Sequence, residues 1–291
     1  MKFVLGTAQF GFHYGITNQE GPCLLEAIDD ILSLAKKENI VYLDTAPTYG
    51  ESETVLSGWN SHFEFITKIP AYPKNTPFDP MQYVSSMVNM SLERLKSKKI
   101  YGILFHHADD LINQDSGPLL YQMALELREQ NICKAIGVSV YEPEQLEYIL
   151  DHYPIDMVQI PLNLFDRRFL EQGYLKKLKK RNIQIFVRSI FLQGLLLTIP
   201  QTLTPQLDFA RTYLKKYHDL LRENEISPLQ AAIRFIDKIY EVDYAVIGVT
   251  TPIQLREIIL AHQDKNSSPD LTELWNEPAP EILLDPRKWY V

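Results

Sequence analysis

Cysteine is scarce in this sequence, and several other features that mark particular classes of protein are missing from it. The two cysteines, Cys23 and Cys133, do not form a C-x-x-C pair, so we expect neither a disulfide framework nor a thiolate metal site. No apolar run reaches the roughly 18 residues that a membrane span needs, and the N-terminal residues make a poor signal peptide. These absences predict a cytoplasmic protein in a reducing compartment, with no membrane partner and no bound metal.

Basic residues are also fewer than acidic residues in this sequence. The chain carries 29 Lys and Arg against 37 Asp and Glu, a formal net charge of -8, and its basic residues are scattered. The dense basic run at residues 176–181 is explained as the solvated end of a helix, where cations suit the helix dipole. A duplex-binding protein would need a coherent basic face, so nucleic acid is not an expected partner.

What the sequence does contain is an alternation of short apolar runs with longer helical patterns. Eight runs have the length and composition of buried strands, and they are Phe3–Gly6, Val41–Asp44, Phe63–Ile69, Tyr101–Phe105, Ala135–Ser139, Met157–Ile160, Ile183–Val187 and Ala245–Gly248. Apolar residues recur at helical spacing between them, over Leu24–Glu38, Met81–Lys96, Gly117–Gln130, Pro143–Asp151, Phe169–Lys180, residues 207–223 and a helix from Pro228 to about Tyr240.

This alternation is compatible with a closed barrel or with an open, doubly wound sheet. The Gly-x-Gly-x-x-Gly fingerprint of dinucleotide-binding open sheets is absent after the first strand, and 291 residues suit a barrel of typically about 250. We therefore predict an α/β fold, a single (β/α)8 TIM barrel over residues 1–291. It should carry an extra helix late in the chain and a C-terminal tail at about 266–291, packed over one end or partly loose.

In an α/β barrel the chemistry lies at the C-terminal ends of the strands. Four polar side chains there, on three successive strands, are placed to converge: Asp44, Tyr49, Lys68 and His106. A lysine that enters an apolar barrel needs a counter-ion, which Asp44 supplies. A cation beside a phenol is expected to lower the pKa of Tyr49, so that it exchanges a proton with an alcohol, while His106 donates a hydrogen bond to the substrate oxygen. Each residue alone has a structural explanation, such as a barrel ion pair, but the joint pattern favours catalysis.

These residues lie in segments that resemble the aldo-keto reductase family. Residues 42–50, with Asp44 and Tyr49 five apart, resemble the family signature; residues 66–68 resemble its catalytic-lysine strand and residues 103–106 its histidine strand. Further matches at 135–139, 159–163 and 193–196 follow in the right order, so the resemblance covers residues 3–260. It implies that Tyr49 is the general acid/base, that Lys68 and Asp44 tune it, and that His106 orients the substrate.

The same resemblance implies a nicotinamide cofactor, since no side chain can supply a hydride. Ser139 and Gln159 would hold the nicotinamide ring, and the loops after strands seven and eight would hold the phosphates and the adenosine. The implied cofactor contacts are Gly6, Thr7, Ser139, Gln159, Ser189, Gln193, Gly194, Leu195, Gly248, Thr250, Gln254, Arg256 and Glu257. The candidates for the substrate pocket are His13, Tyr14 and His107, with Trp59 as a further one.

The chain also departs from the family pattern. Val140 stands where an Asn usually follows the strand-five serine, Ile258 stands at the usual adenine-site Asn, and Val249 and Gln254 stand where NADP-binding members often carry Lys and Arg. Arg256 is close enough to substitute if the register shifts, so NADP(H) is favoured and NAD(H) stays open. The N-terminal hairpin that often plugs these barrels is expected to be missing or reduced.

Three functions are compatible with these residues. The first is NAD(P)-dependent reduction of an aldehyde or ketone, such as a sugar or nucleotide-sugar, with Tyr49 as general acid. The second is a non-redox barrel lyase or aldolase in which Lys68 forms a Schiff base. The third is a cofactor-sensing regulatory module without turnover. The complete set of four polar residues and the cofactor-side motifs favour the first, with a small carbonyl compound or alcohol as the substrate.

Overall fold

Eight parallel strands close into a barrel in the computed structural model of the chain. The structure describes residues 1–16, 18, 21–73, 78–264 and 271–289. Each strand pairs with its successor in the chain, and the eighth pairs with the first, so the sheet has no free edge. The strands are β1 Lys2–Gly6, β2 Tyr42–Asp44, β3 Glu64–Ile69, β4 Ile100–Phe105, β5 Cys133–Ser139, β6 Met157–Pro161, β7 Gln184–Arg188 and β8 Tyr244–Gly248.

Helices surround this barrel and cover its outer face. The α-helices in the described part of the chain are α1 Ala8–Gly11, α2 Leu25–Lys37, α3 Ser52–Leu56, α4 Pro80–Arg94, α5 Ala108–Ile112, α6 Gly117–Glu129, α7 Pro143–His152, α8 Arg168–Glu171, α9 Tyr174–Lys180, α10 Arg211–Glu223, α11 Pro228–Asp237, α12 Pro252–Gln263, α13 Leu271–Leu274 and α14 Glu281–Leu284. Short 3-10 turns occupy Ser57–Trp59, Leu192–Leu197, Pro200–Thr202, Pro205–Ala210 and Pro286–Lys288.

The predicted (β/α)8 barrel is confirmed, with strand boundaries within two residues of those expected, and α10 is the extra late helix. Three helix predictions were wrong in detail. The segment 169–180 is two helices, because Gly173 adopts a left-handed backbone (φ 76°) between them. Residues 207–210 belong to a 3-10 turn that precedes α10, and α11 ends at Asp237 rather than near Tyr240.

The interior of the barrel is built in layers. Side chains alternate across a strand, so one residue in two faces inward. One buried interior cluster consists of Val4, Ile66, Leu104, Ala135, Met157 and Phe186. Beneath it, towards the N-terminal ends of the strands, three tyrosine rings fill the barrel: Tyr244 stacks on Phe186 of the cluster at 4.6 Å between centroids, and Tyr42 lies 4.5 Å from Tyr101. Side chains of the strands themselves therefore close this end.

The C-terminal tail is ordered where the structure describes it. Trp275 and Trp289 are 3% and 4% exposed, and the Trp289 indole donates to the Ile282 carbonyl at 2.7 Å. The tail therefore packs on the barrel, while residues 265–270 and 290–291 of the predicted tail lie outside the described residues. Across the described ranges, the search for a helix both long and apolar enough to cross a bilayer found none.

Candidate active site

A ring of polar and small residues lies one layer above the buried interior cluster, at the C-terminal ends of the strands. Every second residue of a strand points into the barrel. On each strand that contributes to the cluster, the residue two or four positions later in the sequence therefore also faces inward. With their counterparts on β2 and β8, the residues of this upper layer are Gly6, Asp44, Lys68, His106, Ser139, Gln159, Arg188 and Gly248. Seven of these eight were predicted as site residues, and Arg188 was not.

A buried ion pair lies in this layer. The Lys68 ammonium donates to Asp44 Oδ2 at 2.6 Å and to the Thr45 carbonyl at 3.0 Å, and both charged side chains are nearly inaccessible to solvent. Gln159 Nε2 donates to the other Asp44 oxygen at 2.8 Å. Burial lowers the pKa of Lys68, but the charges of Asp44 and Tyr49 raise it, and the net pKa is above its usual value. Lys68 is therefore a fixed cation.

Tyr49 lies directly over this cation. The Lys68 nitrogen is 4.7 Å from the centroid of the phenol ring, and the ring of His106 is 6.1 Å away in an edge-on arrangement. Burial raises the pKa of Tyr49 and outweighs the opposing effect of the Lys68 charge, so the net pKa is above 10. The expected lowering was wrong, because desolvation of the phenolate is the larger effect. The phenol is consequently protonated at neutral pH and ready to donate.

His106 completes the polar group as a neutral side chain. Burial lowers its pKa to about 2, and the positive charges of Lys68 and Arg188 act in the same direction. An imidazole of this kind carries one N–H and donates a hydrogen bond without becoming an imidazolium. His106 is therefore suited to orient a carbonyl oxygen beside Tyr49.

Close backbone contact holds the loop that carries Tyr49. A Cβ atom on Gly11 would lie 1.7 Å from the Tyr49 carbonyl oxygen, and one on Gly50 would lie 2.4 Å from the Gly11 carbonyl oxygen. Gly50 also has a left-handed backbone (φ 55°). Behind the loop, Ser52 Oγ donates to Thr7 Oγ1 at 2.8 Å, and Thr7 Oγ1 donates to the Asp44 carbonyl at 3.0 Å. The two glycines let α1 and the Tyr49 loop interlock.

Replacing Gly11 by alanine is expected to separate these two segments. The added methyl group overlaps main-chain atoms that cannot rotate away, so we expect a loss of at least about 1–3 kcal/mol in the free energy of unfolding. Gly58 is the matched control, because it is exposed and a Cβ there would meet nothing within 4 Å, so Gly58→Ala should change stability by about 0.5 kcal/mol or less. Urea denaturation measures both. Equal midpoints for the two variants would contradict the interlock.

A cavity of about 670 Å³ opens over the polar layer. This volume lies within the roughly 300–1,000 Å³ typical of small-molecule sites. Its wall includes Asp44, Tyr49 and Gln159 at the barrel mouth and runs to the segment that follows β8. The predicted residues on the wall are Gly6, Thr7, Tyr14, Asp44, Tyr49, Gln159, Ser189, Gln193, Gly194, Gly248, Thr250, Gln254 and Glu257.

The loop after β7 forms one side of this cavity with an unusual backbone. Ser189, Leu192 and Gln193 all have positive φ, between 50° and 59°, a conformation that costs roughly 1–2 kcal/mol per L-residue. Asn163 holds the loop by donating to the Ser189 carbonyl at 3.0 Å. Residues in such sparsely populated conformations cluster at ligand sites, and alternating left- and right-handed backbone aims N–H groups into a concavity that suits an anion.

Comparison with known proteins places the chain in a family. The sequence model of the protein family described as "Aldo/keto reductase family" matches residues 2–274, which is nearly the whole chain. The chain belongs to the aldo/keto reductase family. A curated relative, aldo-keto reductase YhdN of Bacillus subtilis (strain 168), is 24% identical over 227 residues, 74% of this chain and 66% of that protein, slightly under two thirds of its length.

Solved structures share the fold of this aldo/keto reductase family member. Aldo-keto reductase AKR11C1 from Bacillus halodurans, in a holo form, superposes with a TM-score of 0.74 at 19% identity, over 98% of this chain and 95% of that one. PA4992 of Pseudomonas aeruginosa gives a TM-score of 0.66 at 22% identity, over 89% and 88% of the two chains. At these identities the similarity concerns the barrel.

Several predicted site residues of this aldo/keto reductase family member lie away from the described cavity wall. Lys68, His106 and Ser139 belong to the polar layer without lining the cavity themselves, and Leu195 is fully buried in the hydrophobic core. Arg256 on α12 is exposed and is not part of the cavity wall, whereas the next residue, Glu257, does line the cavity. Helical geometry explains the difference, because neighbouring residues on a helix diverge by about 100°.

Three pocket candidates also lie elsewhere. The His13 ring bonds to the Asn18 carbonyl on the exposed first loop, and His107 is exposed behind His106 at 5.1 Å between rings. Trp59 packs at the surface, where its indole donates to Asp29 Oδ1 at 3.1 Å. Loop residues of this type have no periodicity that fixes their direction, so their sequence positions alone could not place them.

Sequence reasoning missed other cavity residues. They include Gln9, Asn18, Leu229 and, most importantly, Arg188, whereas Phe191 and Thr251 fall within the predicted cofactor loops at 189–195 and 248–257. The signal for Arg188 was present: it follows inward-facing Phe186 by two residues, but strand seven was expected to end at Val187. Among the described residues, no three His, Cys, Asp or Glu side chains are grouped so as to hold a metal ion.

Proposed function

We propose that this protein is a nicotinamide-dependent oxidoreductase that reduces an aldehyde or ketone, with Tyr49 as the general acid. The observation that carries the proposal is the buried Lys68–Asp44 pair beneath a protonated phenol, at a cavity whose wall also includes the segment that follows β8. A bound nicotinamide would supply the hydride. The other chemical step is the transfer of a proton to the substrate oxygen, and side chains of this protein would carry it out.

The proton moves from Tyr49 Oη to the substrate oxygen as that oxygen gains negative charge. Lys68 lies 4.7 Å from the phenol ring and stabilises the phenolate that remains. Asp44 keeps Lys68 in place, and its second oxygen is held by Gln159. His106, neutral because its pKa is about 2, donates a hydrogen bond to the same substrate oxygen. In the reverse direction the phenolate accepts the proton of an alcohol.

The cavity suits a dinucleotide at three points. Gly6 and Gly248 line the cavity without side chains, and the flexible side chain of Gln9 lies in front of Gly248, where a flat ring beside Gln159 would displace it. The left-handed backbone of the β7 loop offers N–H groups to phosphates. Thr250, Gln254 and Glu257 line the far end, where the adenosine would lie.

The Schiff-base alternative receives less support from the same geometry. A lysine that attacks a carbonyl must be a neutral amine, so such lysines have a lowered pKa. Lys68 instead has a raised pKa, is 2% exposed, and donates to Asp44 and the Thr45 carbonyl. The charge state that suits Lys68 to tune Tyr49 is the one that blocks it as a nucleophile.

For the cofactor we propose NAD(H), although the sequence pattern favoured NADP(H). Glu257 lines the cavity at the adenosine end, and Arg256 does not line it; Arg188, at the catalytic end, supplies the cation among the described wall residues. A carboxylate accepts hydrogen bonds from a ribose diol and repels a 2′-phosphate, which prefers a cationic partner.

Fluorescence titration with NADH and NADPH tests both the function and this choice. We expect a dissociation constant at least about tenfold lower for NADH, since one misplaced charge contributes about 1.4 kcal/mol or more. Glu257→Gln should reduce the difference between the dissociation constants for NADH and NADPH. Glu129→Gln, which removes an exposed charge on α6, should leave that difference unchanged. Tighter binding of NADPH by the wild type would contradict the choice of cofactor. Failure of the folded protein to bind either would contradict the redox function and favour a regulatory or non-redox role.

A further inference from the structure

Arg188 is a cation in the polar layer that the proton-transfer scheme does not use. It is the last residue of β7, level with Pro161 on β6, and it lines the cavity together with Tyr49, Asp44 and Gln159. Its inward direction follows from Phe186, two residues earlier, which belongs to the barrel interior. A guanidinium therefore faces the space in which a substrate must lie to reach Tyr49.

The contacts of Arg188 leave its charge uncompensated. One Nη donates to the Val140 carbonyl at 3.1 Å and the other to Ser189 Oγ at 3.4 Å. No ion pair with a carboxylate of the described residues is formed, and the acid in the same layer, Asp44, is already bonded to Lys68 and Gln159. A half-buried charge without a counter-ion is costly, unless the partner arrives with a ligand.

Packing fixes this guanidinium in place. It lies over the ring of Tyr141 at 4.0 Å from the ring centroid, and Arg287 of the C-terminal segment lies over the same ring at 3.6 Å. Arg287 is itself neutralised by Asp285 through two bonds of 2.8 Å. The stacking on the single Tyr141 ring, which Arg287 shares, thus holds Arg188 in one position while leaving its charge available. A side chain fixed in this way loses little entropy when it binds an anion.

The charge balance of the layer points in the same direction. Asp44 and Lys68 cancel each other, and His106 is neutral, so Arg188 leaves the layer with one net positive charge. The positive charge of Arg188 also contributes to keeping His106 unprotonated. An anionic group on the substrate would neutralise the layer. The planar fork of an arginine matches a carboxylate or a phosphate in bidentate geometry.

We propose that Arg188 binds an anionic group of the substrate, a carboxylate or a phosphate, and that this enzyme therefore acts on aldehydes or ketones that carry a negative charge near the carbonyl. The inference rests on the reductase function proposed above. Arg188 then acts as a specificity-determining residue: it fixes the charged end of the substrate while Tyr49 and His106 receive the carbonyl oxygen.

Matched aldehyde pairs test the inference. Succinic semialdehyde against butanal compares a carboxylate with a neutral group, and glyceraldehyde 3-phosphate against glyceraldehyde does so for a phosphate. We expect the wild type to favour the charged member of at least one pair by about tenfold or more in kcat/KM, and the pair that responds identifies the anion. In Arg188→Gln the ratio of kcat/KM for the charged member to kcat/KM for the neutral member should fall about 10- to 100-fold, as expected for a lost charged hydrogen bond.

Two further variants separate charge from structure. Arg188→Lys keeps the charge but loses the fork, so it should retain part of the preference. Arg222→Gln removes a surface arginine whose side chain is 76% exposed, and it should retain all of it. The comparison of charged and neutral aldehydes with the wild type tests the inference without any variant, so a variant that fails to fold leaves that test intact.

Each contrary outcome has a distinct meaning. Equal efficiency of the wild type with charged and neutral members of both pairs would overturn the inference and leave the reductase function standing. The inference would also be overturned, and the reductase function would again stand, if Arg188→Gln raised KM for the cofactor and left the preference for charged aldehydes unchanged. Arg188 would then be a cofactor-binding residue. Absence of turnover with every aldehyde and both cofactors would overturn the proposed function, and this inference with it.

Discussion

Replacing Tyr49 by phenylalanine is expected to reduce kcat for carbonyl reduction by about 10²–10⁴-fold, the usual contribution of a positioned general acid. The ring and its contact with Lys68 remain, so the dissociation constant of the cofactor and the stability of the fold should change little. Steady-state kinetics and cofactor titration on the same preparations measure both quantities. A variant that retains more than about a tenth of the wild-type kcat would show that the proton comes from another group.

The pH dependence of reduction gives a second readout of the same assignment. Tyr49 must be protonated to donate, and burial raises its pKa, so kcat/KM should stay level through pH 9 and fall only at higher pH. His106, with a pKa of about 2, should add no step near pH 6.5. A rate that falls as the pH rises through 7 would contradict the raised pKa of Tyr49.

Breaking the Lys68–Asp44 pair is expected to have the largest effect on stability. The two residues are 2% and 4% exposed, so Lys68→Met leaves an uncompensated carboxylate and Asp44→Asn an uncompensated ammonium. Removal of one partner of a buried pair typically costs about 3–5 kcal/mol. Lys68→Met should also abolish measurable reduction, because without the cation the phenolate of Tyr49 is still less favourable.

The double variant separates the structural from the catalytic role. Asp44→Asn combined with Lys68→Met removes both charges. The double variant should therefore regain most of the free energy of unfolding that each single variant loses, but it should remain inactive. The exposed Lys215–Asp219 pair on α10, at a similar 2.6 Å, is the control, and its removal should cost about 0.5 kcal/mol or less. Urea unfolding measures all of these. Equal losses for the buried and exposed pairs would contradict the importance of burial.

The sequence by itself determined the barrel and most of the polar layer. Strands buried on both faces, separated by helical periods of 3.6, specify the (β/α)8 alternation, and the ends of those strands specify which residues share one end of the barrel. Asp44 and Lys68 were identified in this way and Gln159 through the resemblance to the family, and the structure brings the three within hydrogen-bonding distance. These predictions depend on local pattern and on the geometry of a pleated strand.

Only the tertiary structure decided how strongly the site residues interact. The pKa of Tyr49 depends on a balance between desolvation and the Lys68 charge, and desolvation depends on every element packed around the phenol. The contact between Gly11 and the Tyr49 carbonyl joins α1 to a loop that is distant from it in the chain. Arg188 acquires its position from Tyr141 and the C-terminal segment. Burial and contacts between distant residues follow from the packing of the whole chain, and no local period of the sequence encodes them.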